Sequence, residues 1–326
     1  MNSPGRFPPK DSMARTEGQT ISIRFQGLAF SALAWLSVAA TLWSPQIDVQ
    51  TQLVLLSPII LVLGVPHGAL DIVFVRQLVD IRSTAGWCLF TTAYLSAAAS
   101  VVVLWWLSPG LFLAAFLLIS VFHFSGDPNG ETPAIVRTLY GGAVILCPLV
   151  LHVSDVTRLF TFLAGLPAAQ TIVAALEWAV WPWLGAIGLA ATAGLKRVPA
   201  RSVELLSVTA LLTFLPPLIG FTIFFCGMHS ARHVLRTRDY SGARTIRNLL
   251  RSSVWPMLAT VVGGALVWWI FDGRPLDMRL AQLLFVGLAA LTVPHMIVVE
   301  RVRFTGWVLG RNTLQKPISY GKAYDR

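Results

Sequence analysis

"LLTFLPPLIGF", residues 211–221, decides how often this chain changes direction. It interrupts a long apolar stretch with two adjacent prolines, Pro216 and Pro217. Proline has no backbone N–H and disfavours helix at the residue before it, so the pair either separates two helices or kinks one long one. The apolar segment in front, 202–215, spans only about 20 Å at the helical rise, which is short for a bilayer crossing.

The rest of the chain explains why crossings are at issue. Hydrophobic residues make up 55% of the 326 residues and charged residues 12%, against roughly a quarter charged in soluble domains. Apolar runs near 25–43, 52–75, 85–107, 110–125, 133–152, 170–195, 202–215, 217–235, 254–271 and 278–300 recur along it. Most have about the length a helix needs to cross a bilayer. The fold class read from this is all-α, a multi-pass integral membrane helical bundle of about ten transmembrane helices, with eight to ten as the range. One transmembrane domain covers 25–303, without a detectable repeat. Residues 1–24 read as a disordered cytoplasmic tail and not a cleaved signal peptide, because the apolar core begins only after Arg24. Residues 304–326 form a polar, basic C-terminal tail.

Charge arbitrates at the prolines. With a cytoplasmic N-terminus and ten helices, 22 of the 25 Lys and Arg fall on the cytoplasmic side and 3 on the other. Merging 202–235 into one crossing gives 12 and 13. Only ten helices obey the positive-inside rule, and they place both termini in the cytoplasm, at the cell (inner) membrane. The net charge of +10 sits in loops between apolar helices, so it serves topology and anionic headgroups and does not read as a nucleic-acid surface. Cys88, Cys147 and Cys226 are scattered through apolar segments and form no disulfide framework. They read as small core residues, although Cys226 lies about one turn before a histidine pair.

The six histidines sharpen the picture. They occur in "GVPHGALD" (His67), "VFHFSGD" (His123), "VLHVSD" (His152), "HSARH" (His229 and His233) and "TVPHMIVVE" (His295). In the ten-helix order, His67, His123, His229, His233 and His295 lie on four helices that all run inward, each roughly 4–13 Å before the cytoplasmic boundary. His152 falls at the outer end of another helix. One intramembrane histidine is by default a packed core residue or a lining of a pore. Five at one depth, two of them spaced i, i+4 on one helical face, point to a metal centre instead. Asp71 and Asp127 each follow a histidine by four, where a carboxylate can accept the second ring N–H and fix the tautomer. Helix-end charge is the bland reading and suits Asp127 better than the deeper Asp71. Gly64, Pro66 and Gly68 loosen the helix around His67 and allow close approach to a neighbour.

Neutral imidazoles, with no thiolate or carboxylate directly on the ion, suit Fe, Zn, Cu or Ni. HExxH is absent, which argues against a zinc protease of that type. Paired haems would populate two depths, and membrane di-iron enzymes use more histidines than five. A channel or transporter for metal ions or protons, lined by histidines, is the alternative from another class; acidic relay residues for it are few.

"GVPHGALD", "FHFSGD", "HSARH" and "VPHMIVVE", in that order from about residue 60 to 300, resemble the motifs of the bacterial and archaeal β-carotene 15,15′-dioxygenase family (the Brp/Blh type). The resemblance implies an integral membrane protein that uses ferrous iron and O₂ to split the central double bond of β-carotene into two retinals. It implies His67, His123, His229 and His233 as iron ligands, with His295, Asp71 and Asp127 behind them or in the substrate channel. A C40 polyene partitions into lipid, so a buried metal is reached sideways through the bundle. Phe122, Phe124, Phe224 and Phe225 are the candidates to line that tunnel, although packing is the common job of membrane phenylalanines. Arg232, beside the pair, is expected to snorkel to the interface. Membrane lipid and a rhodopsin that collects retinal are the implied partners.

Overall fold

The computed structural model describes residues 10–41, 43, 47–78, 81, 83–128, 131–241 and 245–301, and among them there is no β-strand. The helices, in order, are α1 (Lys10–Thr41), α2 (Val49–Ile59), α3 (Pro66–Ala69), α4 (Asp71–Leu78), α5 (Thr84–Leu107), α6 (Pro109–Phe124), α7 (Ala134–Leu146) and α8 (Val153–Ala164). They continue as α9 (Leu166–Leu195), α10 (Pro199–Phe214), α11 (Pro217–Ile223), α12 (Ala231–Ser241), α13 (Ile246–Ile270) and α14 (Leu276–Arg301). Two wide π-helical turns, Ile60–Gly64 and Phe224–Ser230, join α2 to α3 and α11 to α12. Four prolines open helices: Pro66, Pro109, Pro199 and Pro217 stand in first turns, where the missing N–H has no intrahelical partner to lose.

The chain reverses at Pro216 and Pro217. Glu204, near the start of α10, pairs with Arg232 of α12 at 2.7 Å, whereas Phe214 at the end of α10 offers its carbonyl to His152 at 3.4 Å. α10 and the α11–α12 rod therefore run in opposite directions. The same two ends recur around the bundle. Gln26, Asp71, Asp127, Glu204 and Arg232 mark one; Trp105 with Leu163, His152 with Phe214, and Arg158 with Asp277 mark the other.

Among the described residues seven helices are long and apolar enough to cross a membrane, and the pair α7 and α8, bent by 111°, makes an eighth if counted as one span. α6 is apolar but only 16 residues long. The fold is thus an all-α multi-pass membrane bundle. Its outer surface carries exposed Trp106, Trp178, Trp255 and Trp269, the aromatic residues that favour membrane–water boundaries.

Two sequence-based expectations change. α8 occupies a stretch expected to be a loop; its apolar face packs Val156, Leu159 and Leu163 inward, while Asp155 and Arg158 face out. A 12-residue amphipathic helix is invisible to a search for crossing-length apolar runs. α1 begins at Lys10, inside the stretch read as a disordered tail. Residues 10–24 contain no proline, so the apolar run after Arg24 extends backward as helix. Residues 1–9 and the tail after Arg301 lie outside the described residues.

Candidate metal centre

The two π-turns both sit where histidines must be aimed. Pro66 has no backbone N–H to donate, and the preceding turn widens so that the Val65 N–H reaches the Ile60 carbonyl at 3.1 Å. A side chain on Gly64 would strike the ring of Phe225. Its absence lets the two π-turns touch and brings His67 against His229.

Five imidazoles meet there, all buried. Ring centroids of His123 and His229 are 4.6 Å apart, those of His67 and His229 4.8 Å, and those of His67 and His123 6.4 Å. One nitrogen from each of these three lies within 4.8 Å of the others. Two nitrogens on opposite sides of one ion span about 4.2 Å at ~2.1 Å each, so the donor set fits a metal with little movement. His233 lies 5.3 Å from His67, and His295 lies 5.1 Å from His233. The two remaining histidines separate cleanly. His295 joins the cluster, while His152 stays at the far end of the bundle beside Asp155.

Each partnered ring uses Nδ1. His229 Nδ1 meets Asp127 at 2.9 Å, His295 Nδ1 meets Asp71 at 2.7 Å, and His67 Nδ1 lies 2.5 Å from the Gly64 carbonyl and 3.0 Å from Ser230 Oγ. His233 Nδ1 faces Thr237 Oγ1 at 3.3 Å. An Nδ1–H held by a carboxylate or carbonyl leaves the lone pair on Nε2, the form that binds metal. The Nε2 atoms of His229 and His295 are buried and make no hydrogen bond. Leaving such atoms unpaired costs about 1–3 kcal/mol each, which an ion would offset.

The carboxylates serve other histidines than the i, i+4 spacing suggests. α3 ends at Ala69, and Leu70, with ψ near −3°, turns the chain before α4. Asp71 therefore swings from His67 to His295, 224 positions away in sequence. α6 likewise stops at Phe124, so Asp127 lies beyond the helix and reaches across to His229. Tyr94 Oη donates to the second oxygen of Asp71 at 2.9 Å. Nothing local in the sequence announces Tyr94, whereas Ser230 lies inside the quoted "HSARH" and Thr237 stands one turn after His233.

Arg232 does not snorkel. It is 3% exposed, doubly hydrogen-bonded to Glu204 at 2.7 and 2.8 Å, and bonded to Gln26 at 2.9 Å. With Arg236 it also donates to the Asp127 carbonyl, which holds the turn that presents the Asp127 carboxylate. The partner Glu204 comes from α10, a helix the sequence gives no reason to place there.

The phenylalanines divide. Phe124 and Phe225 line an apolar cavity that also touches His123. Phe225 stacks on His229 at 5.6 Å. Phe224 is fully buried against Phe124 and Tyr140, outside the cavity wall. Phe122, 49% exposed, points out of the bundle, about 100° around the helix from the inward His123. From His123 the cavity extends along α6, α11 and α14 to Val156, Leu159 and Leu163 of α8. Ser120 and Thr292 are among its few polar side chains.

The sequence profile of a family described as "Beta-carotene 15,15'-dioxygenase" matches residues 58–302. The chain is 27% identical over 258 residues to "Beta-carotene 15,15'-dioxygenase" of uncultured marine bacterium 66A03, covering 74% of this chain and 90% of that one. It is 26% identical over 280 residues to "Probable beta-carotene 15,15'-dioxygenase Blh" of Halobacterium salinarum, covering 73% and 80%. No solved structure matches.

Proposed function

This chain belongs to the β-carotene 15,15′-dioxygenase family, and from that premise we propose that it is a membrane-embedded, non-haem Fe(II) enzyme that cleaves β-carotene at its central double bond. One O₂ adds across the broken bond, an oxygen atom to each carbon, so one C40 polyene gives two retinals and nothing else. The observation that carries the proposal is the buried imidazole cluster, with Nε2 atoms left without hydrogen bonds, opening through His123 onto an apolar cavity.

His67, His123, His229 and His233 are the residues that would hold the iron. Bound there, the metal supplies the redox chemistry that lets triplet O₂ react with a closed-shell alkene. The protein's own part is placement. Asp127 and the Gly64 carbonyl fix ring tautomers, keeping the donors neutral and aimed. The cavity from His123 to α8 would seat one half of the polyene, with Phe124 and Phe225 as walls that exclude water and favour positive charge developing on the chain. Substrate and product are both lipid-soluble, so entry and exit run through the bilayer, where an opsin can collect retinal.

The inner membrane with both termini cytoplasmic completes the proposal. A reporter or cysteine label within 236–251 should then be cytoplasmic, as that basic segment requires; labelling from the outer face refutes it. The activity is tested by expression in cells that accumulate β-carotene, where cleavage bleaches the colony and yields retinal, together with iron analysis of the purified protein. Purified protein that carries iron but releases no retinal, or releases retinal with no iron, refutes it.

A further inference from the structure

The pairing of Asp71 with His295 rather than with His67 has a chemical consequence. His295 turns its Nδ1 edge to Asp71 at 2.7 Å, and Asp71 is steadied on its other oxygen by Tyr94 at 2.9 Å. The ring is 2% exposed, and its Nε2 is buried without a hydrogen bond. Its centroid lies 5.3 Å from His67, 5.4 Å from His123 and 5.1 Å from His233. Those separations fall between the 4.6 Å and 6.4 Å found among His67, His123 and His229, one nitrogen from each of which lies within 4.8 Å of the others. A core histidine kept for packing would hydrogen-bond both nitrogens, and a proton relay would continue beyond Nε2 to a polar partner.

We propose that His295 is an additional metal ligand, donating through Nε2, and that Asp71 and Tyr94 are positioning residues that hold its Nδ1–H tautomer. The inference rests on the reading that this centre holds iron. It changes the count: a fifth imidazole would leave one position open on a six-coordinate ion held there, where four would leave two. Two of the ligand-bearing segments, the α3–α4 break and the end of α14, are also tied together by the Asp71 bond, so that α14 is locked to the centre.

The experiment compares wild type, His295→Ala, Asp71→Asn and Tyr94→Phe as purified proteins loaded anaerobically with Fe(II). X-ray absorption at the iron edge counts imidazole scatterers, and chelator competition gives affinity, both without turnover. Wild type should show five imidazoles. His295→Ala should lose one and bind iron at least tenfold more weakly, with free imidazole restoring the count. Asp71→Asn should keep the count but lose about 10–100-fold in affinity, the range for a partner that orients a ligand, and Tyr94→Phe should lose less. Four imidazoles in wild type, or a His295→Ala protein with unchanged count and affinity, overturns the proposal. Where His295→Ala yields too little folded protein, Asp71→Asn decides, and wild-type affinity there overturns it equally. A wild-type protein that binds no iron at all sinks the reading of the centre itself, a distinct result.

Discussion

Asp127 and His229 stand 102 positions apart in the chain and meet at 2.9 Å, both buried. The backbone behind Asp127 is held in turn by Arg232 and Arg236, which donate to its carbonyl at 3.2 and 2.6 Å. Removing the carboxylate should leave the fold and free the ring of His229 to rotate. Asp127→Ala is expected to weaken iron binding by about 10–100-fold and to lower retinal production accordingly. Asp127→Asn can still accept from Nδ1–H and should lose less. Chelator competition on the purified variants checks the order; equal affinity for all three proteins would show that the bond orients nothing.

Gly64 makes the close approach of the two π-turns. Gly64→Ala places a methyl group into the Phe225 ring, and overpacking of this kind costs about 1–3 kcal/mol. Gly68, one turn on, has open space where its Cβ would be. Gly64→Ala should therefore lower the unfolding temperature in detergent, Gly68→Ala should not through any clash, and Phe225→Ala added to Gly64→Ala should recover part of the loss. Failure of that recovery would place the strain elsewhere.

The cavity predicts a split between binding metal and turning over substrate. Leu159→Phe, at the α8 end, adds volume where the polyene's end group would lie without touching a histidine. Iron content should stay at the wild-type level while cleavage of β-carotene falls steeply, and shorter apocarotenoids should be spared. Phe122→Ala, on the outer surface, should turn over like wild type. Retinal yield per iron, measured for both variants, separates the two walls. A fully active Leu159→Phe would show that the substrate takes another path.

The helices and the convergence of histidines were legible because both follow from period and length. Apolar runs bounded by charge mark the rods, and rods that run the same way carry His67, His123, His229, His233 and His295 to one end of the bundle. What pairs with each histidine was not legible. The i, i+4 rule holds only inside an unbroken helix, and the chain breaks at Leu70 and again after Phe124. Tyr94 and Glu204 come from helices with no local sign of their partners, because contacts between helices depend on rotation about axes that composition does not set. α8 was missed for a related reason. It pays its way by amphipathic packing, a weaker signal than twenty apolar residues.

The histidines themselves give the strongest test, because one chain holds both the cluster and its control. His67, His123 and His229 each bring a nitrogen within 4.8 Å of the other two. Ala at His67 or His123 removes a neutral donor that no nearby thiolate or carboxylate can replace, because Cys226 turns its sulfur toward the Ile59 carbonyl at 3.9 Å and Asp127 is committed to His229; His229→Ala removes both a donor and the partner that holds Asp127. These variants should lose retinal production by more than the ~10–100-fold typical of an outer partner, and lose bound iron with it. His233 lies farther from His229, at 6.5 Å between centroids, and is steadied on Nδ1 by Thr237 at 3.3 Å. His233→Ala should also abolish turnover but keep more iron than the other three. His152 sits at the opposite end of the bundle, against Asp155 and the Phe214 carbonyl. Its loss removes the contact with the Phe214 carbonyl but no donor of the cluster, and His152→Ala should bleach colonies and carry iron as wild type does. The comparison is made at equal membrane abundance in cells that accumulate β-carotene, with iron measured on each purified protein. A His152→Ala protein as inactive as His67→Ala, or a His123→Ala protein with full iron and full turnover, would dissolve the cluster as the seat of the chemistry.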